Sequence, residues 1–142
     1  MEELTTRDAG ELLTLQRAAY AGESLLYDQF LPPLHETLDE IRAVLDDPEV
    51  LVLGIRDAGR LVGTARVKAD GEIARIAVAP DRQNQGLGTR LLQAAIERGG
   101  TWLFTGDRSE ANLRLYRRHG FEETHREPAP GHELIYLKLR EA

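Results

Sequence analysis

The sequence predicts a mixed α/β domain built on a largely antiparallel sheet. Three β-rich runs follow one another closely, at residues 50–56, 61–69 and 72–78. The connections Asp57-Ala-Gly-Arg60 and Asp70-Gly71 have the composition of hairpin turns, which join antiparallel neighbours. A glycine-containing loop then leads into an amphipathic helix and a further β-rich run. A strand that returns through a helix lies parallel to the strand before it, so we expect a mixed sheet.

The segment before these strands predicts a short strand and two helices. Residues 2–5 form the strand. Asp8 and Glu11 have the spacing of a capping box, and the apolar residues after them predict a helix to about Ala21, with Gly22 ending it. Thr37-Leu-Asp-Glu40 is a second capping box and starts the second helix. Between them, residues 23–36 contain two prolines and are expected to be irregular.

The C-terminal third predicts strand, helix and two strands. The strands cover residues 101–105, 121–126 and 132–139. Ser109 is the expected N-cap of a helix that runs to about His119. The predicted order is therefore β-α-α-β-β-β-α-β-α-β-β, an α/β fold in one domain that covers residues 1–142.

Composition limits the classes of function. The chain has 142 residues, a net charge of −6 and no cysteine. The absence of cysteine excludes thiol catalysis and Cys-type zinc sites. An acidic chain is a poor binder of nucleic-acid backbones, and no apolar run approaches the roughly 20 residues that span a bilayer. We expect a cytoplasmic protein that binds neither nucleic acid nor a membrane.

The glycine loop is the most informative stretch. An apolar run at residues 76–78 is followed by Pro80, then by Gly86 and Gly88, and then by the start of the helix. Backbone N–H groups of such a loop, together with the helix N-terminus, can bind a phosphate. Short glycine patterns are weak evidence, so a simple strand-to-helix turn is an equal alternative at this point.

Two motifs on this order of elements resemble the GCN5-related N-acetyltransferase (GNAT) superfamily. Gln83-Asn-Gln-Gly-Leu-Gly88 matches the family's Gln/Arg-x-x-Gly-x-Gly/Ala loop, and Val78-Ala79-Pro80 matches its usual lead-in. Leu115-Tyr116-Arg-Arg-His-Gly120-Phe121 matches its second motif, Leu-Tyr-x-x-x-Gly-Phe. The resemblance covers nearly the whole chain and implies a fold in which the fourth and fifth strands splay apart.

The resemblance implies acetyl-CoA as the co-substrate. His125, Glu127 and His132 lack the spacing of metal ligands, so no metal is expected. The amine acceptor attacks the acetyl group directly, through a tetrahedral intermediate. The strand residues expected to pair with pantetheine through their backbone are Ile76, Ala77 and Val78. The loop residues expected to hold the pyrophosphate are Gln83, Asn84, Gln85, Gly86, Leu87, Gly88 and Thr89.

The sequence departs from the family where many members carry Asn seven residues before the motif tyrosine and Ala four before it. Ser109 and Asn112 occupy these places. Asn112 and Tyr116 are four residues apart, so they lie on one helix face. We expect both Ser109 and Asn112 to bind the cofactor, with helix capping and a solvated position as the respective alternatives.

The chemistry requires a base and an acid. Neutralising an alkylammonium at pH 7 costs about 4.6 kcal/mol, because its pKa is about 10.4. Glu72 is the candidate base, since family members that acetylate histones carry a glutamate there; strand alternation predicts that it shares a face with Ala74, Ile76 and Val78. His35, Glu23 and Asp28 are the reserve candidates. Tyr116 matches the family's acid, and acts either with a lowered pKa or by hydrogen-bonding developing negative charge.

The acceptor is the least constrained part of this interpretation. In this fold it is set by residues 20–37 and 126–133, and Tyr27, Phe30 and His35 are the candidate substrate-binding side chains. A small-molecule amine and a peptide amine are both open as partners. Homodimers are common in the family and are a further expectation. The competing hypothesis is a catalytically inactive CoA-binding sensor or regulatory module.

Overall fold

The computed structural model describes residues 1–29 and 31–141. Its helices are α1 (Ala9–Tyr27), α2 (Pro32–His35), α3 (Leu38–Asp46), α4 (Leu87–Glu97) and α5 (Glu110–Arg118). Its strands are β1 (Glu2–Glu3), β2 (Val50–Asp57), β3 (Arg60–Lys68), β4 (Ile73–Val78), β5 (Trp102–Gly106), β6 (Phe121–Ala129) and β7 (His132–Leu139). Short 3-10 turns cover Thr6–Asp8 and Pro80–Arg82. No described helix combines the length and the apolar character needed to cross a membrane.

The strands form two antiparallel sheets that diverge from a common point. One sheet has the order β1-β2-β3-β4 and the other the order β5-β7-β6. Between the two sheets, the backbone pairing of the described residues is limited to a parallel bridge from Glu72 to Trp102. Beyond that bridge β4 and β5 separate, which confirms the predicted mixed α/β fold with splayed central strands.

Helix α4 packs against both sheets and joins two apolar clusters. Leu91 lies in a cluster with α1, α3 and strands β2 and β3. Leu92 lies in a second cluster with β5, β7 and α5. Both leucines are fully buried, so the predicted apolar face of this helix is confirmed. Adjacent residues thus tie the helix to both halves of the splayed sheet.

The first helix is longer than predicted. It continues through Gly22 to Tyr27, and Asp28 ends it in the left-handed region at φ 51°. Gly22 is exposed, so it weakens the helix without breaking it. The packing of Tyr27, which is 6% exposed, outweighs this local preference. The next segment is also more regular than expected, because Pro32 and Pro33 occupy the first turn of α2, where a missing N–H costs nothing.

The predicted capping box is confirmed for α3 and is wrong for α1. The Thr37–Glu40 capping box is present at α3. The predicted Asp8–Glu11 box is wrong, since Asp8 instead accepts a hydrogen bond from the backbone N–H of Thr5, at 2.8 Å. Glu11 is bonded elsewhere, to the Leu61 backbone N–H at 2.9 Å.

A bulge in β4 changes which side chains share a face. Ala74 pairs with Arg66 and Ala77 pairs with Thr64, so two β4 residues oppose one residue of β3. Arg75, at φ 54°, is the first of these two. A bulge reverses the alternation beyond it. The predicted common face is therefore wrong for Val78, which pairs with Gly63 on the face opposite to Ala74.

Candidate active site

A cleft of about 640 Å³ opens where the two sheets diverge. Its walls come from β4, β5, α5, the C-terminal half of α1, α2 and the β6–β7 hairpin. The predicted site residues that line it are Tyr27, His35, Glu72, Ile76, Ser109, Asn112 and Tyr116. Ala77, Val78 and the glycine loop do not line this cleft, so the structure divides the predicted site into a cleft and a neighbouring loop.

The glycine loop has the geometry of an anion-binding turn. Asn84 and Gly86 have positive φ values of 63° and 79°, and Leu87 is buried and anchors the start of α4. The backbone N–H of Arg90 donates to the carbonyl of Gly86 at 3.1 Å. The N–H groups of the helix before Arg90 therefore have no carbonyl one turn back to bond, which leaves them as donors for a ligand.

The loop lies next to α5. A Cβ added to Gly88 would be 3.5 Å from a methyl carbon of Leu115, the neighbour of Tyr116. Upstream, Arg60 and Asp81 form an ion pair at 2.5 Å, and Arg82 pairs with Asp57. These contacts fix the segment before the loop against the β2–β3 turn.

The backbone of β4 is already partly bonded on the cleft side. The Tyr20 hydroxyl donates to the carbonyl of Ile76 at 3.0 Å. Burial raises the pKa of Tyr20 to about 12, so this donor keeps its proton. The Ile76 carbonyl has a second lone pair, so a pantetheine arm that pairs with this carbonyl would share it with Tyr20.

Tyr116 lies where α5 meets the cleft. It is 6% exposed, and its ring is edge-on to that of Phe121, with centroids 6.2 Å apart. Burial raises the pKa of Tyr116 above its ordinary value, and Tyr20 and Glu23 raise it further. Of the two expectations for this residue, the lowered pKa is therefore wrong. Asn112 lines the same cleft, which confirms that the two residues share a helix face.

Ser109 does not use its hydroxyl as a helix cap. Although it stands at the N-cap of α5, its side chain makes no capping bond. Its Oγ donates to Glu23 at 2.8 Å and is 2.7 Å from the Tyr27 hydroxyl, which also accepts from the Arg108 backbone N–H at 3.1 Å. Ser109 is 3% exposed. The hydroxyls of Ser109 and Tyr27 therefore tie α1 to α5 in this structure.

Glu72 directly precedes β4 and forms the backbone bridge to Trp102 of β5. Its carboxylate is 3.2 Å from the Lys68 ammonium group, and the whole residue is 9% exposed. Its backbone N–H donates to Asp70 at 3.0 Å. Of the two glutamates that line the cleft, Glu23 affects the pKa of Tyr116, whereas Glu72 affects that of Tyr136. The candidate base and the candidate acid thus line the same cleft in different surroundings.

A buried ionic network forms another wall of the cleft. Arg66 donates to Glu36 at 3.0 and 3.2 Å and to Gln16 at 3.2 Å. Arg75 Nε donates at 3.1 Å to Glu36 Oε1, the oxygen that Arg66 contacts at 3.0 Å. Burial alone would raise the pKa of Glu36, but its bonds to Arg66 and Gln16 and the nearby charges more than offset that effect and lower the pKa.

Sequence reasoning missed both arginines. Arg66 interrupts an apolar strand whose other central residues are buried, and a charge in such a run signals a buried partner. Arg75 gave no comparable signal, because its position depends on the bulge. Regular alternation would place it on the face opposite to Ala74.

The two segments expected to set the acceptor meet at one end of the cleft. Gln29 Nε2 donates to the Pro130 carbonyl at 2.8 Å, and the Tyr27 and His132 rings are 4.7 Å apart. His35 also lines the cleft, whereas Phe30 lies outside the described residues. Over the described ranges, no three His, Asp or Glu side chains are grouped so that they could hold a metal ion.

Comparison with known proteins agrees with this architecture. The family model for GNAT acetyltransferases matches residues 12–121, and the chain belongs to this family. A GNAT acetyltransferase from Streptococcus pneumoniae is 20% identical, with a TM-score of 0.72 over 96% of this chain and 95% of that one. An acetyltransferase from Thermus thermophilus is 19% identical, with a TM-score of 0.69 over 95% and 92% of the two chains.

One similar structure contains a ligand. The PaiA N-acetyltransferase from Thermoplasma acidophilum, in complex with coenzyme A, is 19% identical, with a TM-score of 0.66 over 96% of each chain. A comparison with curated proteins gives no match. At these identities the similar structures establish the fold, and the family model establishes membership.

Proposed function

We propose that this chain transfers the acetyl group of acetyl-CoA to a small primary amine in the cleft between β4 and β5. The observation that carries the proposal is the cleft itself, which brings Tyr116 and Asn112 of α5 together with the carboxylates of Glu23 and Glu72. Acetyl-CoA would supply an activated thioester. The protein must bind acetyl-CoA and orient the amine. It must also take a proton from the amine and donate a proton or a hydrogen bond to the leaving sulfur.

The backbone N–H groups of the glycine loop support binding of acetyl-CoA through its pyrophosphate. N–H groups before Arg90 are oriented as at any helix N-terminus, where the dipole favours a diphosphate. Residues 83–86 are exposed, and Gly86 at φ 79° provides a turn that other residues rarely adopt. We assign pyrophosphate binding to residues 83–89, with Asn112 as an additional contact.

Tyr116 is proposed to protonate or hydrogen-bond the leaving sulfur. Its raised pKa keeps the hydroxyl protonated, so it serves as a donor at all physiological pH values. The amine must lose a proton before its nitrogen bonds the acetyl carbon. Glu72 is the base proposed from the sequence, and Glu23 is a second candidate because its charge reaches Tyr116.

Two measurements test this function. Calorimetric titration with acetyl-CoA is expected to give saturable binding, and thiol release in the presence of a panel of primary amines is expected to report turnover. Binding without acetylation of any amine would instead support the sensor hypothesis. Absence of binding at millimolar acetyl-CoA would refute both.

The identity of the base is tested by paired substitutions. Glu72→Gln and Glu23→Gln are compared with Glu97→Gln, an exposed glutamate at the end of α4. Loss of a general base lowers kcat by roughly 10²–10⁴, at unchanged acetyl-CoA affinity. If both cleft variants stay fully active, neither carboxylate is the base.

A further inference from the structure

The charges along the cleft are not paired one to one. Lys68 and Glu72 form a matched ion pair at 3.2 Å. Arg66 and Arg75, by contrast, share a single carboxylate, that of Glu36. The side of the cleft formed by Arg66 and Arg75 therefore carries an excess positive charge.

Arg75 lines the cleft and has donors that are not used within the protein. Its Nε donates to Glu36, and across residues 1–29 and 31–141 its two terminal NH₂ groups have no hydrogen-bond partner. The side chain is 24% exposed. A guanidinium whose two terminal groups are free can bind a carboxylate through two parallel bonds.

The backbone is strained at this residue. Arg75 has φ 54° within the β4 bulge, a backbone region that non-glycine residues occupy only at an energetic cost. At this bulge Arg75 lines the cleft and bonds Glu36. Strain that re-aims a charged side chain is typical of binding sites.

Glu23 supplies the opposite charge. It is half-buried in the cleft, it accepts a hydrogen bond from Ser109 at 2.8 Å, and no cation lies within ion-pair distance of it in the described part of the chain. It also lies in the last turns of α1, where the helix dipole disfavours an anion. Tyr20, Glu23 and Arg75 line the same cleft.

From the unused NH₂ groups of Arg75 and the carboxylate of Glu23, and resting on the proposed acetyl transfer, we propose that the acceptor is a small amino-acid-like zwitterion. Its carboxylate is bound by the terminal NH₂ groups of Arg75, and its ammonium group is bound by Glu23. At one end of the cleft Gln29 Nε2 donates to the Pro130 carbonyl at 2.8 Å, and this bond joins the two segments where a peptide chain would have to continue.

The first test compares matched acceptors with the full-length protein and acetyl-CoA. Amino acids with increasing separation of the two charged groups are each assayed beside the carboxamide and the amine that lacks the carboxyl group. At least one amino acid is expected to exceed its carboxamide in kcat/KM by roughly tenfold, the effect of a charge-assisted hydrogen bond. Equal or better use of the carboxamide in every pair would overturn the proposal.

The second test changes Arg75. Arg75→Gln is expected to raise KM for the preferred amino acid roughly tenfold and KM for its carboxamide less than about twofold, with Arg75→Lys intermediate because it keeps the charge and loses the fork. Arg98→Gln, which removes an exposed ion pair with Glu3, is the control and should change neither. The carboxamide also controls for any disturbance of Glu36, and equal effects on both substrates would contradict the assignment.

The third test changes Glu23. Glu23→Gln is expected to lower kcat/KM for the amino acid and for its carboxamide alike, because both contain the ammonium group, while acetyl-CoA binding by calorimetry stays unchanged. Acetylation of simple amines with no preference for a carboxylate would leave the proposed function standing and remove this inference. Failure to acetylate any amine would remove both.

Discussion

Burial and charge act on the Tyr116 hydroxyl in the same direction. Desolvation disfavours the phenolate, and the nearby Glu23 carboxylate disfavours it further. A residue in this state donates a hydrogen bond over a wide pH range but does not readily give up its proton. We therefore propose for Tyr116 the second of the two roles expected from the sequence, stabilisation of negative charge on the leaving sulfur by a hydrogen bond.

Tyr116→Phe is predicted to lower kcat on the order of 10², with acetyl-CoA affinity unchanged because the ring still packs on Phe121. The wild-type pH profile is predicted to show no loss of activity near pH 10, the ordinary tyrosine value, since the folded protein keeps the hydroxyl protonated above it. Steady-state kinetics between about pH 6 and 11 measure both effects. A descending limb at pH 10 that Tyr116→Phe abolishes would contradict the assigned pKa direction.

The end of α1 depends on a glycine in β5. A Cβ on Gly106 would overlap the Tyr27 hydroxyl and ring, so this glycine makes room for the bond between Tyr27 and Ser109. Gly106→Ala is predicted to destabilise the fold by about 1–3 kcal/mol through overpacking. Gly22→Ala in α1 is the matched control, because a Cβ at Gly22 would meet no atom within 4 Å. This substitution is predicted to stabilise the fold by about 0.5–1 kcal/mol.

Urea unfolding of the two variants measures the difference. Equal stability of Gly106→Ala and wild type would mean that Tyr27 can move without cost. Destabilisation by Gly22→Ala would mean that the helix is not regular at this position.

The buried ionic network of Arg66, Arg75 and Glu36 makes the free energy of unfolding depend on pH, because Glu36 is titratable. Its pKa in the folded protein is lower than the ordinary value of 4.5, so its contribution is fully present above pH 4.5 and is lost as pH falls through the folded value. Glu36→Gln is predicted to cost about 3 kcal/mol at neutral pH, because Arg66 loses its buried carboxylate. The difference from wild type should shrink below pH 4.5.

Denaturant midpoints at a series of pH values test this, with Glu97→Gln as the exposed control. A stability difference that does not vary with pH would show that Glu36 acts through packing and not through its charge.

Local patterns predicted the elements better than their ends or faces. The hairpin turns and the apolar face of α4 were readable because spacing alone determines them. The continuation of α1 past Gly22 was not, since it depends on Tyr27 reaching β5. The face of Val78 was missed for a related reason, because the bulge at Arg75 reverses strand alternation and leaves no mark in the residue types.

The same distinction applies to the candidate site. The glycine loop and Tyr116 belong to motifs that are contiguous in sequence, so they could be found without a structure. Arg75 and Glu23 are far apart in the chain, and they line one cleft only because β4 and β5 diverge beside α1. Their relation is a property of the tertiary fold.

At the scale of the whole molecule, the splay predicts how the protein responds to its ligand. Among the described residues, the two sheets are joined by one backbone bridge, from Glu72 to Trp102, so a ligand held by the glycine loop and the cleft would contact both halves of the fold. Ligand binding to the folded state alone stabilises it by about 2.7 kcal/mol at 100 times the Kd. For a domain of this size the expected rise in Tm is roughly 8 °C.

Thermal unfolding with and without acetyl-CoA measures this rise, and Gly86→Val is the variant that tests its origin. Valine is strained at φ 79°, so the loop should lose its anion-binding turn and the ligand-induced rise should fall to near zero. Comparing the Tm of each protein with and without acetyl-CoA separates this effect from any lower starting stability of the variant. Arg98→Gln should keep the full rise, and an undiminished rise in Gly86→Val would place the cofactor phosphates elsewhere than on the loop.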